Sequence, residues 1–222
     1  MIFDLITIGL VGLVLAFAGF TAFQLLGRFP KRTQDDVAPF LRPAEIEELE
    51  ALLDPSQETN LRMRLSPRDF RSWQRKRLHL MYEYLLRMSH NALVLIEWGN
   101  MEFARSEPLV SAAAGTPQDP DSPDNSQSLA LQLEMQRHLQ AQELVQAATE
   151  FRMYSVLALA KLKFWILLPF GRLPLLPNPS LMGLRRVFGI EAVSSYHRLK
   201  EAAGTLSLAY GYNYHRELTE RL

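Results

Sequence analysis

From Leu5 to Phe23 the sequence reads LITIGLVGLVLAFAGFTAF, 19 residues without a charge, and no other feature constrains the chain as much. A helix needs roughly 20 apolar residues to cross a hydrocarbon core, so Ile2 to Leu26, interrupted only by Asp4 and Gln24, is long enough to span with some tilt. Gly9, Gly12 and Gly19 do not count against this reading, because glycine is common in membrane helices. Gly9 and Gly12 lack the GxxxG spacing, so the run does not read as a dimerising anchor. A cleaved signal peptide is the alternative, with Ala16-Phe17-Ala18 as its cleavage site, but its n-region would be Met-Ile-Phe-Asp, without a base. A buried core helix is a third reading, less in keeping with such uniform apolarity. Arg28, Lys31 and Arg32 follow the run and Asp4 precedes it. By the positive-inside rule the amino terminus is outside and residues 27–222 are cytoplasmic. A bacterial inner membrane is the expected setting.

The 222-residue chain balances 24 Lys+Arg against 24 Asp+Glu and contains no cysteine. Its length suits one modest domain with an appendage. The absence of thiols removes disulfide scaffolds, thiolate metal sites and cysteine nucleophiles. Zero net charge argues against a general nucleic-acid coat, and no nucleic-acid partner is expected.

The expected architecture is all-α: an anchor over 1–26, a juxtamembrane linker over 27–42 and a helical bundle over 43–222. Pro43 opens a short helix with Ile46, Leu49 and Leu53 as its stripe, and Pro55 ends it. Ser66-Pro67-Arg68-Asp69 starts a long helix, with a capping serine, proline at the first position and an acid at the third. Phe70, Trp73, Met81, Tyr84, Met88, Ala92 and Leu95 form one stripe of it; Leu78, Tyr82, Leu85, Leu93 and Ile96 form a second. Two stripes imply more than one neighbour. Residues 107–128, with four prolines, read as a flexible loop. A second long helix, from about Leu129 to Leu168, begins glutamine-rich. It continues on a coiled-coil-like heptad seam of Leu144, Ala148, Phe151, Ala158, Leu162 and Trp165, with Ser155 as the small member. After a proline-rich connector come a short helix over Ser180–Phe188 and a last one from Ile190 that frays near Gly211. The long pair should form an antiparallel hairpin turning near residue 117, with position 138 opposite 97.

Charge sorts along that hairpin. Residues 97–150 carry nine acids against two bases, whereas 61–78 carry Arg62, Arg64, Arg68, Arg71, Arg75, Lys76 and Arg77 against Asp69 alone. Residues 151–190 carry six bases, Arg152 among them, and no acid. The basic end is also the end expected to be tethered by sequence to the anchor. Lys161, Lys163, Phe164, Trp165, Phe170 and Arg172 combine aromatic rings with bases that can snorkel, the composition of a membrane interface; ordinary core is the competing reading.

No G-x-S-x-G elbow, G-x-G-x-x-G or Walker sequence is present, and no catalytic or cofactor-binding residue is assigned. His79/Glu83 and Glu134/His138 are each four apart, not the three of a di-iron Glu-x-x-His motif. Glu97, Glu134 and His138 form the one conceivable metal trio. The expectation is therefore an anchored helical scaffold or adaptor, with the bilayer and a protein as partners and no cofactor or small-molecule substrate. A bundle that engages lipid through 161–176 and a metal-dependent bundle enzyme are the alternatives.

Overall fold

The computed structural model describes residues 37–115, 125–167 and 181–222. The chain divides into two compact units, Met1–Arg32 and Thr33–Leu222. The expected anchor and most of the expected linker lie outside the described residues. No helix among the described residues is long and apolar enough to cross a membrane.

The described residues of the second unit are predominantly helical, with no strand among them. A 3-10 turn over Ala38–Phe40 precedes α1 (Ile46–Leu52), α2 (Pro55–Arg64), α3 (Pro67–Gly115), α4 (Asn125–Leu167) and α5 (Leu181–Ser207). A second 3-10 turn over Leu208–Tyr210 leads into α6 (Tyr212–Arg221). Two Xaa-Pro signatures set the early boundaries. Asp54 accepts from the Ser56 N–H (2.9 Å) ahead of Pro55, and the Ser66 hydroxyl accepts from the Asp69 N–H (3.2 Å) ahead of Pro67. The Asp69 carboxylate accepts in turn from Ser66 Oγ (2.6 Å), so the cap and the acid hold one another in place. Pro55 thus ends α1, as expected, and at once begins a helix the apolar pattern did not reveal.

The core is the antiparallel pair α3 and α4 with α5 laid against α4. The expected seam is buried from Leu144 through Leu162, Ser155 included, with Trp165 packed partly buried against it. At Gly99 the helices approach so closely that a Cβ would lie 2.6 Å from Val145 Cγ2 and 3.2 Å from the Ala141 carbonyl. Toward the C-terminus of α3, Phe103 stacks on His138 with ring centroids 4.1 Å apart. Position 138 therefore lies opposite 103–106 rather than 97. The register is displaced because α3 runs on through Pro108 to Gly115 and α4 already begins at Asn125, leaving 116–124 of the expected 107–128 loop between them. A proline inside a helix removes one backbone bond without obliging the helix to stop.

Two other boundaries differ from expectation. α5 is continuous across Gly189, because an interior glycine weakens a helix by about 1 kcal/mol relative to alanine and no proline follows Pro179. At Gly211 the chain does not fray but turns, with φ +101 and ψ 159, a conformation open essentially to glycine alone. The turn returns α6 to the bundle, where Leu218 is buried and Tyr210 and Tyr214 meet the Trp98 ring.

Residues 37–42 lie as a strap on this framework, held by side chains rather than by a helix. The Val37 N–H donates to the Tyr214 hydroxyl (3.1 Å), and His90 Nε2 donates to the Phe40 carbonyl (3.1 Å). Fully buried Asn91 accepts from the Arg42 N–H (2.8 Å) and donates to the Arg42 carbonyl (2.8 Å) and the Tyr196 hydroxyl (3.2 Å). This clamp leaves Pro43 and Ala44 ahead of the helix, so α1 opens at Ile46 rather than at Pro43. Asn91→Leu would strand both polar groups of Arg42 and a buried phenol. We expect a loss of about 2–3 kcal/mol in urea unfolding with the helix content kept; a loss below about 0.5 kcal/mol would mean the clamp does not hold the strap.

Candidate functional site

Three surfaces follow from this framework: a basic end, a polar and aromatic distal end, and the outward face of α4. The basic end is where α2 stops and α3 starts. Arg62, Arg64, Arg68, Arg71, Arg75 and Lys76 are exposed there. Arg77 is not one of them. It is 4% exposed, donates to the Asp54 carbonyl (3.4 Å), approaches Glu58 (3.9 Å) and covers the Trp73 ring at 4.9 Å. Burial draws its pKa below the ordinary guanidinium value, and Glu58 and Asp54 oppose that shift. Arg77 follows the Phe70 stripe by seven residues, so its position was readable as inward; its charge suggested otherwise. Arg152 is also buried, with its pKa lowered by desolvation, and leaves the basic surface.

Val37 meets Tyr214, whose ring lies on Trp98, while Pro67 starts the same helix α3 about 45 Å away at 1.5 Å per residue. From Val37 the strap, α1 and α2 run back to the basic end. The first described residue, Val37, thus lies toward the far end of α3 from the basic residues.

Of the interface candidates, Lys161 is exposed and Lys163 half-buried, whereas Trp165 and its neighbour Ile166 pack against the core. The Phe164 side chain, Phe170 and Arg172 lie outside the described residues.

At the distal end the register separates the conceivable metal trio. His138 Nδ1 meets the Ser106 hydroxyl (2.8 Å), Glu134 pairs with Arg137 (3.5 Å), and Glu97 lies farther down α3. No group of three or more metal-ligating side chains is positioned for an ion among the described residues. A different constellation occupies this end. Glu102, 1% exposed, keeps one oxygen near Arg105 (3.6 Å), while its Oε2 and the Tyr210 hydroxyl make no hydrogen bond. Burial, and then Glu102, push the Tyr210 phenol well above its ordinary pKa, with Arg137 and Arg105 opposing. Arg137 lies over the Tyr210 ring at 5.6 Å. Glu102 is one of the nine acids of 97–150, yet its place four residues after Trp98 puts it on the buried face. Beside this cluster a cleft of about 480 Å³ opens between α4 and the end of α5, lined by Leu133, Arg137, Gln140, Thr205 and Leu208 among others.

The outward face of α4 lies opposite its buried seam. Met135 (49% exposed), Leu139 (59%), Met153 (64%) and Leu157 (56%) stand on it, with exposed Gln142, Gln146 and Thr149 between them. Their steps of three and four residues make one ridge along the helix. Glu143 and Glu150 flank it, and Glu150 also pairs with Arg198 (3.1 Å). This ridge escaped the sequence reading because the buried seam accounted for the helical period first.

Comparison with known protein families, curated proteins and solved structures gives no match.

The two arginines two residues apart provide a direct check of the basic end. Arg77→Ala removes a buried stem, its ring contact and its carbonyl bond, and should cost about 2 kcal/mol in urea unfolding. Arg75→Ala should stay within about 0.5 kcal/mol. Equal costs would contradict the division between a structural and a surface arginine.

Proposed function

We propose that the chain is a single-pass, membrane-anchored helical scaffold, with its amino terminus outside and its bundle in the cytoplasm. The anchor reading rests on the uncharged run Leu5–Phe23 and the bases that follow it. The scaffold reading rests on one observation, the ridge of Met135, Leu139, Met153 and Leu157 on the outward face of α4. Single exposed apolar residues are ordinary, but four large ones aligned over a helix form a surface a second helix can cover. The partner such a ridge suits is an amphipathic helix whose apolar residues meet the two ends and whose basic flanks face Glu143 and Glu150. The glutamines between would supply hydrogen bonds at the middle of the contact. Methionine at two positions lets the ridge adapt to the shape of its partner.

Photo-crosslinking from benzoylphenylalanine at position 139 or 153 in native membranes tests this reading. Both positions should give an adduct of one common mass, lost when Leu157→Glu is added, while position 220 on α6 gives none. No adduct, or equal adducts at all three positions, would sink the docking ridge. An adduct of twice the chain's mass would make the partner a second copy.

A further inference from the structure

We infer that the basic end, carried by Arg62, Arg64, Arg68, Arg71, Arg75 and Lys76, docks on the anionic headgroups of a phospholipid bilayer. The inference rests on the proposed anchor. Several arginines elsewhere on the described surface stand beside acids: Arg198 with Glu150, Arg216 with Glu220, and Arg221 with Glu217, while exposed Arg87 covers the Tyr84 ring. None of the six bases makes an ion pair among the described residues. The nearest acids are engaged otherwise, Asp69 with Ser66 and Glu58 with Arg77. Arg71 uses its Nε on the Pro67 carbonyl (3.0 Å), which fixes its stem and meets no acid.

The arrangement runs against the stability of the helix. Arg68, Arg71 and Arg75 stand three and four residues apart on α3, where like charges disfavour a helix rather than support it. A chain with zero net charge has acids available, yet they lie elsewhere. An unneutralised, outward row of guanidinium groups suits a broad sheet of phosphates, where each base contributes about five-fold to docking at low salt. Nucleic acid is disfavoured, because the row carries none of the groove-entering or base-stacking motifs that such recognition uses. The strap is fixed at Val37, about 45 Å along α3 from Pro67, and its contacts do not hold the basic end at a surface. Charge has to do so, and the contact should be sensitive to salt.

The absence of cysteine allows one label per molecule. Ser72 is exposed beside the row, so Ser72→Cys with a fluorophore, in the full chain reconstituted into vesicles, reports on it. The probe is a quencher attached to lipid headgroups, in phosphatidylcholine alone or with about one-third phosphatidylglycerol. Quenching should appear on the anionic vesicles, vanish in molar salt and weaken in an Arg68→Gln, Arg71→Gln, Arg75→Gln variant. Three bases should weaken docking on the order of a hundred-fold at low salt. Equal quenching on both vesicle types, or an unchanged triple variant with native circular dichroism, would overturn the inference. So would a duplex oligonucleotide, or millimolar inorganic phosphate, that displaces the label from anionic vesicles. Removal of the chain by alkaline carbonate would refute the anchor separately, because quenching is read only on chains that remain.

Discussion

The close approach of α3 and α4 at Gly99 is the constraint on which the rest depends. With no side chain at that position, the Ala141 carbonyl and Val145 come against the α3 backbone, and the register of two helices of 49 and 43 residues is set. That register brings His138 to Phe103 and Ser106, and buries Leu144, Ala148 and Phe151 in sequence. It also turns the opposite face of α4 outward as a continuous ridge. A shift of one helical turn would exchange which charged residues face one another, and the distal end would have a different chemistry.

Asn91 performs the second task, joining the strap, with its single 3-10 turn, to that framework. One amide satisfies both polar groups of Arg42 and reaches the Tyr196 hydroxyl, which lies against Phe151 with ring centroids 4.9 Å apart. The strap, α3 and α5 are thereby tied at one buried point. The result fixes the course of the chain from Val37 into α1.

Much of this was legible in the sequence. The all-helical class, the serine cap at Ser66 and both apolar faces of the long pair followed from periodicity and cap chemistry, since these depend on neighbours three or four residues away. The register did not follow, because it depends on where two helices end, and Pro108 signals a stop where the helix in fact continues to Gly115. Arg77 and Glu102 carry charge at positions whose spacing points inward, and only the burial of the facing helix decides between the two signals. The strap was beyond reach, because nothing local announces that an asparagine in α3 will bind the backbone 49 residues earlier. The helix after Gly211 was within reach, as a glycine followed by Glu217 and Arg221 four residues apart signals a new start as readily as fraying.

The measurement that tests the central claim most directly is labelling of single cysteines with an impermeant maleimide in oriented membrane vesicles. Thr149→Cys, exposed on α4, and Ile2→Cys, ahead of the apolar run, report the two sides. An anchored scaffold predicts that position 149 labels only from the cytoplasmic face and position 2 only from the opposite one. Labelling of both from the same face, or of position 149 from the outer face alone, would contradict the account.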